Sequence, residues 1–221
     1  MRLFHWLLVL SLAASWATAK AGFDWRPLHM RLGYCTMGLV LFRVVWGFVG
    51  PRHARFVNFL KGPAGIVHYA RGMATGTMIA QSVGHNPLGA LMVVVMLLLL
   101  AIQTATGLFT SDDIVYAGPY NGAVSDSMAK TLGHLHHLNF NFILAAVALH
   151  LLAIGFYTFA KKQRLIPAMF SGRKPSEIVP DHEAIGSSAM IKAVIIALIS
   201  AGLVYWLVSA APPPSAASSF N

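Results

Sequence analysis

Five stretches of this chain, at about residues 3–19, 28–49, 87–109, 134–159 and 190–210, are apolar over lengths close to a membrane crossing. A helix needs roughly 20 such residues to span hydrocarbon. The first stretch is short, and the second and fourth carry ionisable side chains, but polar or turn-rich sequence bounds each one. Composition agrees. Of 221 residues, 57% are hydrophobic and 10% charged, whereas soluble domains carry about a quarter charged residues. The expectation is an all-α integral membrane protein, a four-helix transmembrane bundle with a fifth C-terminal transmembrane helix. Residues 1–175 would form the bundle, 176–210 a linker and the fifth helix, and 211–221 a disordered tail. Between the second and third runs, residues 50–86 read as two short interfacial helices broken at Gly62-Pro63. No internal repeat is evident.

The formal charge of +9 is a topology signal, because its distribution follows the spans. With the N-terminus cytoplasmic, the inner segments hold Arg2, Arg52, Arg55, Lys61, Arg71, Lys161, Lys162, Arg164, Arg173, Lys174 and Lys192. The outer segments hold only Lys20, Arg26, Arg31 and Lys130, beside Asp24, Asp112, Asp113 and Asp126. Eleven cations against four satisfy the positive-inside rule, and anionic lipid is their natural contact. Nucleic acid is not needed to explain them. The C-terminus then falls on the periplasmic side of a bacterial inner membrane. The first 21 residues also have the make-up of a secretory signal peptide, with an arginine, an apolar run and an A-x-A-like end. His5 and Trp6 at the head of that run weigh against cleavage, which near Lys20 would remove His5.

Cysteine chemistry is excluded early. Cys35 stands alone, so there is no internal disulfide framework, Cys-rich zinc site or iron–sulfur cluster. A C-x-x-C-H run is also absent, so nothing attaches haem covalently.

Histidine is the more informative residue, since ionisable groups inside spans default to function. In the fourth run, His136 and His150 are 14 residues apart, four turns along nearly one face and roughly 21 Å apart along the axis. With the N-terminus inside, His29 begins the second run at the outer level of His136, and His5 lies at the inner level of His150. Two imidazole pairs at two depths, each drawn from two helices, are what two bis-histidine haems require. Arg43 follows His29 by 14 residues on the same face, at the inner level, and no span carries a carboxylate. A haem propionate would satisfy it. Gly33 and Gly47 each fall four residues past His29 and Arg43. Either they let a flat macrocycle approach the helix or they serve ordinary helix packing.

The segments "RLFHW" (2–6), "LHMRLGYCTMGLVLFRVVWGFVGPRHARF" (28–56), "GHNPLGALM" (84–92), "HHLNFNFILAAVALH" (136–150) and "AMFSGRK" (168–174) resemble the prokaryotic cytochrome b561 family. That family includes the cytochrome b subunits of nickel–iron hydrogenases. The resemblance spans about residues 2–175. It implies four-helix di-haem b cytochromes that pass electrons between the quinone pool and a periplasmic redox partner, such as a c-type cytochrome or an oxidoreductase subunit. By position it makes His5, His29, His136 and His150 the axial ligands of two non-covalent haem b groups, with His5 and His150 on the inner haem and His29 and His136 on the outer. The fifth span lies outside the family's motifs.

Other residues read more plainly. His134 and His137 sit at the start of the fourth run and are expected at the interface. His53, His68 and His85 lie outside the spans, where His85 or Arg52 would be within reach of inner propionates. Asn86-Pro87 has the form of a helix start. Trp6, Trp25 and Trp46 suit an aromatic belt, and the methionines suit packing. Asp112, Asp113 and Asp126 form either a docking patch for a basic cytochrome or a solvated loop. No nucleophile–base pair, metal-ligand cluster or phosphate loop stands out. The expected function is therefore that of an electron carrier or cytochrome b subunit of a quinone-linked oxidoreductase. Two rivals stand beside it: a superoxide or quinol oxidoreductase of the same fold, and a haem-free membrane anchor of a redox complex.

Overall fold

Hydrocarbon offers backbone N–H and C=O groups no partner, so a spanning segment closes its own hydrogen bonds as a helix. The computed structural model, which describes residues 1–75, 86–112, 115–163, 165–171 and 189–212, is built on that rule. Its helices are α1 (Arg2–Lys20), α2 (Arg26–Val49), α3 (Phe56–Phe59), α4 (Pro63–Ala74), α5 (Pro87–Gly107), α6 (Asp126–Gly155), α7 (Leu165–Ser171) and α8 (Met190–Ser209). Among the described residues the only extended pairing is an isolated bridge between Ser111 and Ala117. A 3₁₀ turn extends α2 back to Phe23 and a π turn carries α6 on to Ala160, and five helices are then long and apolar enough to cross a membrane. This is the all-α membrane bundle expected from the sequence.

Local chemistry sets where the helices begin. The Asn86 side chain accepts the Gly89 N–H at 2.7 Å, and Pro87 follows at the first helical position, where its missing N–H costs nothing. Pro63 opens α4 in the same way after Gly62, so among the described residues of the connection two short α-helices are divided at Gly62-Pro63. The fourth span departs from expectation. Helix α6 starts at Asp126, eight residues ahead of the apolar run, because Ser125 caps it by accepting the Met128 N–H and Asp126 occupies its first turn. His134 and His137 therefore lie more than two turns inside the helix, not at its start, and both are exposed.

In the bundle α1 packs along α2, α2 against α5, and α5 against α6, while α8 lies against α2. Buried contacts are few. Between 11% and 33% of each span is buried within the protein, and the rest is apolar surface such as Phe142 and Leu198, which suits hydrocarbon. One cluster joins Val40, Leu100 and Ile143, flanked by Leu8, Leu12, Leu99 and Val147, and so ties α1, α2, α5 and α6 together. Two clusters seat α8. Val204 meets Met37 and Leu108, and Ile196 meets Trp46 and Ala54. The Tyr120 hydroxyl also donates to the Leu207 carbonyl at 2.8 Å, and Lys192 Nζ to Val49 O at 3.2 Å.

One sequence expectation changes here. Trp46 is 3% exposed and stacks on Phe42 with ring centres 5.6 Å apart, so it is a core residue and not part of an interfacial belt. Hydropathy fixes a residue's depth, but not which way it faces. A Cβ on Gly47 would fall on the Phe56 ring, which fits the packing reading of this glycine. Gly33 differs, because a Cβ there meets nothing within 4 Å.

Candidate functional site

The sequence-predicted histidines meet in two pairs. His29 of α2 and His136 of α6 have ring centres 6.4 Å apart with planes at 83°. His5 of α1 and His150 of α6 have ring centres 6.5 Å apart with planes at 49°. A metal-bound imidazole nitrogen stands about 2 Å from its metal, with the ring centre about 1 Å behind, so two rings facing across one metal have centres about 6 Å apart. Both separations fit. The apolar Val40–Leu100–Ile143 cluster draws on α2, α5 and α6 and on Leu8 and Leu12 of α1. It therefore fills the level between the two pairs.

Hydrogen bonds fix which nitrogen each ring of the first pair has available. His29 Nδ1 lies 2.9 Å from the Ser15 carbonyl oxygen, and His136 Nδ1 lies 2.9 Å from the Gln103 carbonyl oxygen. A carbonyl only accepts, so each Nδ1 carries the proton and each Nε2 keeps its lone pair. That is the tautomer a metal needs, held by the outer hydrogen bond that metal-ligating histidines generally make. The Thr106 hydroxyl, 3.3 Å from His136 Nδ1, adds a further contact. Gly107 lets the ring lie this close, since a Cβ there would come within 3.1 Å of His136 Cε1.

The second pair leaves polar atoms unanswered. His5 Nδ1 and Arg43 Nη1 are buried without a hydrogen-bond partner among the described residues. Arg43 is 4% exposed, with its guanidinium carbon 4.9 Å from the Phe56 ring centre and 5.7 Å from that of Phe59. Aromatic faces attract a cation but accept few of its five N–H bonds. The nearby amino group of Met1 sits below its ordinary pKa through burial and then the charges of Arg2 and Arg43. Arg2, Arg43 and the Met1 amino group thus lie close enough to interact. An acidic, planar, iron-bearing group suits such a donor set, whose carboxylates would answer Arg43.

The remaining candidates do not join either pair. His137 touches His136 edge to face at 5.9 Å and is exposed. His53 lies in the Arg52–Ala54 turn, and Arg52 and His68 are exposed. Asp112 Oδ1 accepts the N–H groups of Val115 and Tyr116 at 3.0 and 2.9 Å, which favours loop closure over docking for that residue. His85, Asp113 and the tail beyond Pro212 lie outside the described residues. Sequence reasoning passed over Ser15, Gln103, Thr106 and Asn139. The last three are uncharged polar residues inside apolar runs, and that was the available signal.

The family described as prokaryotic cytochrome b561 matches residues 1–172. No curated protein and no solved structure matches the chain. The match takes in all four histidines and Arg43. With five helices able to span a membrane and this match over most of its length, the chain belongs to the prokaryotic cytochrome b561 family, as a multi-pass, haem-binding transmembrane b-type cytochrome of electron transfer.

Proposed function

We propose that the protein holds two haem b groups, one between His5 and His150 and one between His29 and His136, and carries electrons across the bacterial inner membrane. The observation that carries this reading is the pairing itself: two imidazole pairs, 6.5 and 6.4 Å between ring centres, at two levels of one bundle. Haem supplies one-electron exchange at its iron. The chain's own part is to hold, insulate and orient. Ser15 and Gln103 carbonyls keep the outer imidazoles in the ligating tautomer. Two imidazoles on each iron would leave no position for oxygen, so the pairing favours electron transfer over oxygen chemistry. Arg43 would answer a carboxylate of the group held by His5 and His150, and its charge would favour the reduced state there. The residues between the pairs keep water out.

The proposed exchange is between the quinone pool and a periplasmic redox partner, with the N-terminus cytoplasmic as the eleven-to-four split of cations supports. Proteoliposomes supplied with quinol and a membrane-impermeant acceptor on the periplasmic face test it. Wild-type protein should reduce the acceptor, and His150→Ala should abolish that reduction. A fully haem-loaded protein that takes no electrons from any quinol would rule out the quinone part of the proposal.

A further inference from the structure

A buried polar relay reaches the outer pair from α5 and α6, and backbone carbonyls determine its direction. Asn139 is 3% exposed. Its Nδ2 lies 2.9 Å from the Leu99 carbonyl oxygen and 2.8 Å from Gln103 Oε1. The Leu99 oxygen only accepts, so Asn139 must present its NH₂ group there, and the same group then serves Gln103 Oε1. This leaves the Gln103 NH₂ group facing outward, where its Nε2 lies 3.1 Å from His136 Nε2. That ring nitrogen is the unprotonated one, because His136 Nδ1 donates to Gln103 O. Every donor therefore meets an acceptor in a single arrangement. Neither amide can flip without opposing like groups.

We propose that Gln103, pinned by Asn139, is a positioning residue that raises the reduction potential of the haem held by His29 and His136. This rests on the two-haem reading above. Iron held at His136 Nε2 would take the lone pair that the amide N–H holds here, and the Gln103 NH₂ group would then turn aside. The Asn139 bond to Oε1 would keep the carboxamide beside the ring, with its N–H, the positive end of the amide dipole, toward the bound group. An electron added there is stabilised by that dipole, and in a low-dielectric interior the effect is stronger than in water. The opposing influence, the Nδ1 hydrogen bond that makes His136 a stronger donor, runs to a backbone carbonyl and survives any side-chain change at 103. The alternative is a helix-to-helix amide contact with no bearing on the haem. It predicts no selective change in potential.

Redox titration of the purified full-length chain, with haem content measured in parallel, decides between them. Gln103→Met and Asn139→Leu should each keep two haems. Each should move one midpoint potential downward and leave the other in place, with the smaller shift in Asn139→Leu, where the amide remains but is no longer pinned. Two haems with both midpoints unmoved, or an upward shift, would overturn the inference. So would loss of a haem in both variants, since the relay would then be structural. Wild-type protein with fewer than two haems would instead defeat the reading on which the inference rests, and the inference with it.

Discussion

His136 is held by a backbone carbonyl and by the side chains of Gln103 and Thr106, whereas Arg43 is buried with a donor that finds no acceptor among the described residues. The two positions should therefore respond differently to substitution. Arg43→Met should keep the bundle folded, because a buried cation without a carboxylate partner contributes little to stability. The same variant should weaken or lose the haem held at His5 and His150, lowering haem content from two toward one in a pyridine haemochrome assay. Gly107→Ala tests the other site. Its Cβ would press on His136 and should disturb the outer haem's absorbance while leaving the inner one alone. A spectrum identical to wild type would mean that the ring has room to yield. The ligand candidates were legible in the sequence because a histidine inside an apolar run is costly and the spacing of 14 residues is a helical one. Gln103 and Asn139 were not. They are 36 residues apart, and no periodicity announces that two amides on different helices will meet.

At the scale of the helix, hydropathy located each span but caps and contacts decided its ends and its facing. Asn86→Ala should cost about 1 kcal/mol through loss of the bond to the Gly89 N–H, read as a lower thermal midpoint with haem content unchanged. Gly47→Ala should cost more, about 1–3 kcal/mol, because Phe56 must leave its place beside Arg43. A Gly47→Ala protein as stable as wild type would show that α3 is loosely held. The start of α6 was hidden because residues 126–132 are too polar to extend an apolar run. Its signal is the Ser125–Asp126 cap, which a hydropathy window does not weigh. The facing of Trp46 is not legible from hydropathy, since a helix buried partly by neighbours and partly by lipid is apolar all round.

For the molecule as a whole, the bundle and the fifth helix use different faces of α2. His29, Thr36, Val40 and Arg43 belong to the interior, whereas Met37 and Trp46 belong to the seat of α8. A chain ending at residue 175 should therefore keep its haem complement and lose thermal stability, since α8 covers Met37 and Trp46 without reaching the histidines. Full loss of haem on that truncation would tie α8 to the site. The architecture was legible because lipid permits little besides helices, and the split of cations gives the proposed direction. A reporter fused to the C-terminus should accordingly be active in the periplasm. The central claim, two haems held by paired histidines at two depths, is tested most directly by pyridine haemochrome assay and reduced-minus-oxidised spectra of wild type and His5→Ala. The account predicts two b haems per chain in the wild type and one in the variant. Two haems in His5→Ala, or one in both proteins, would contradict it.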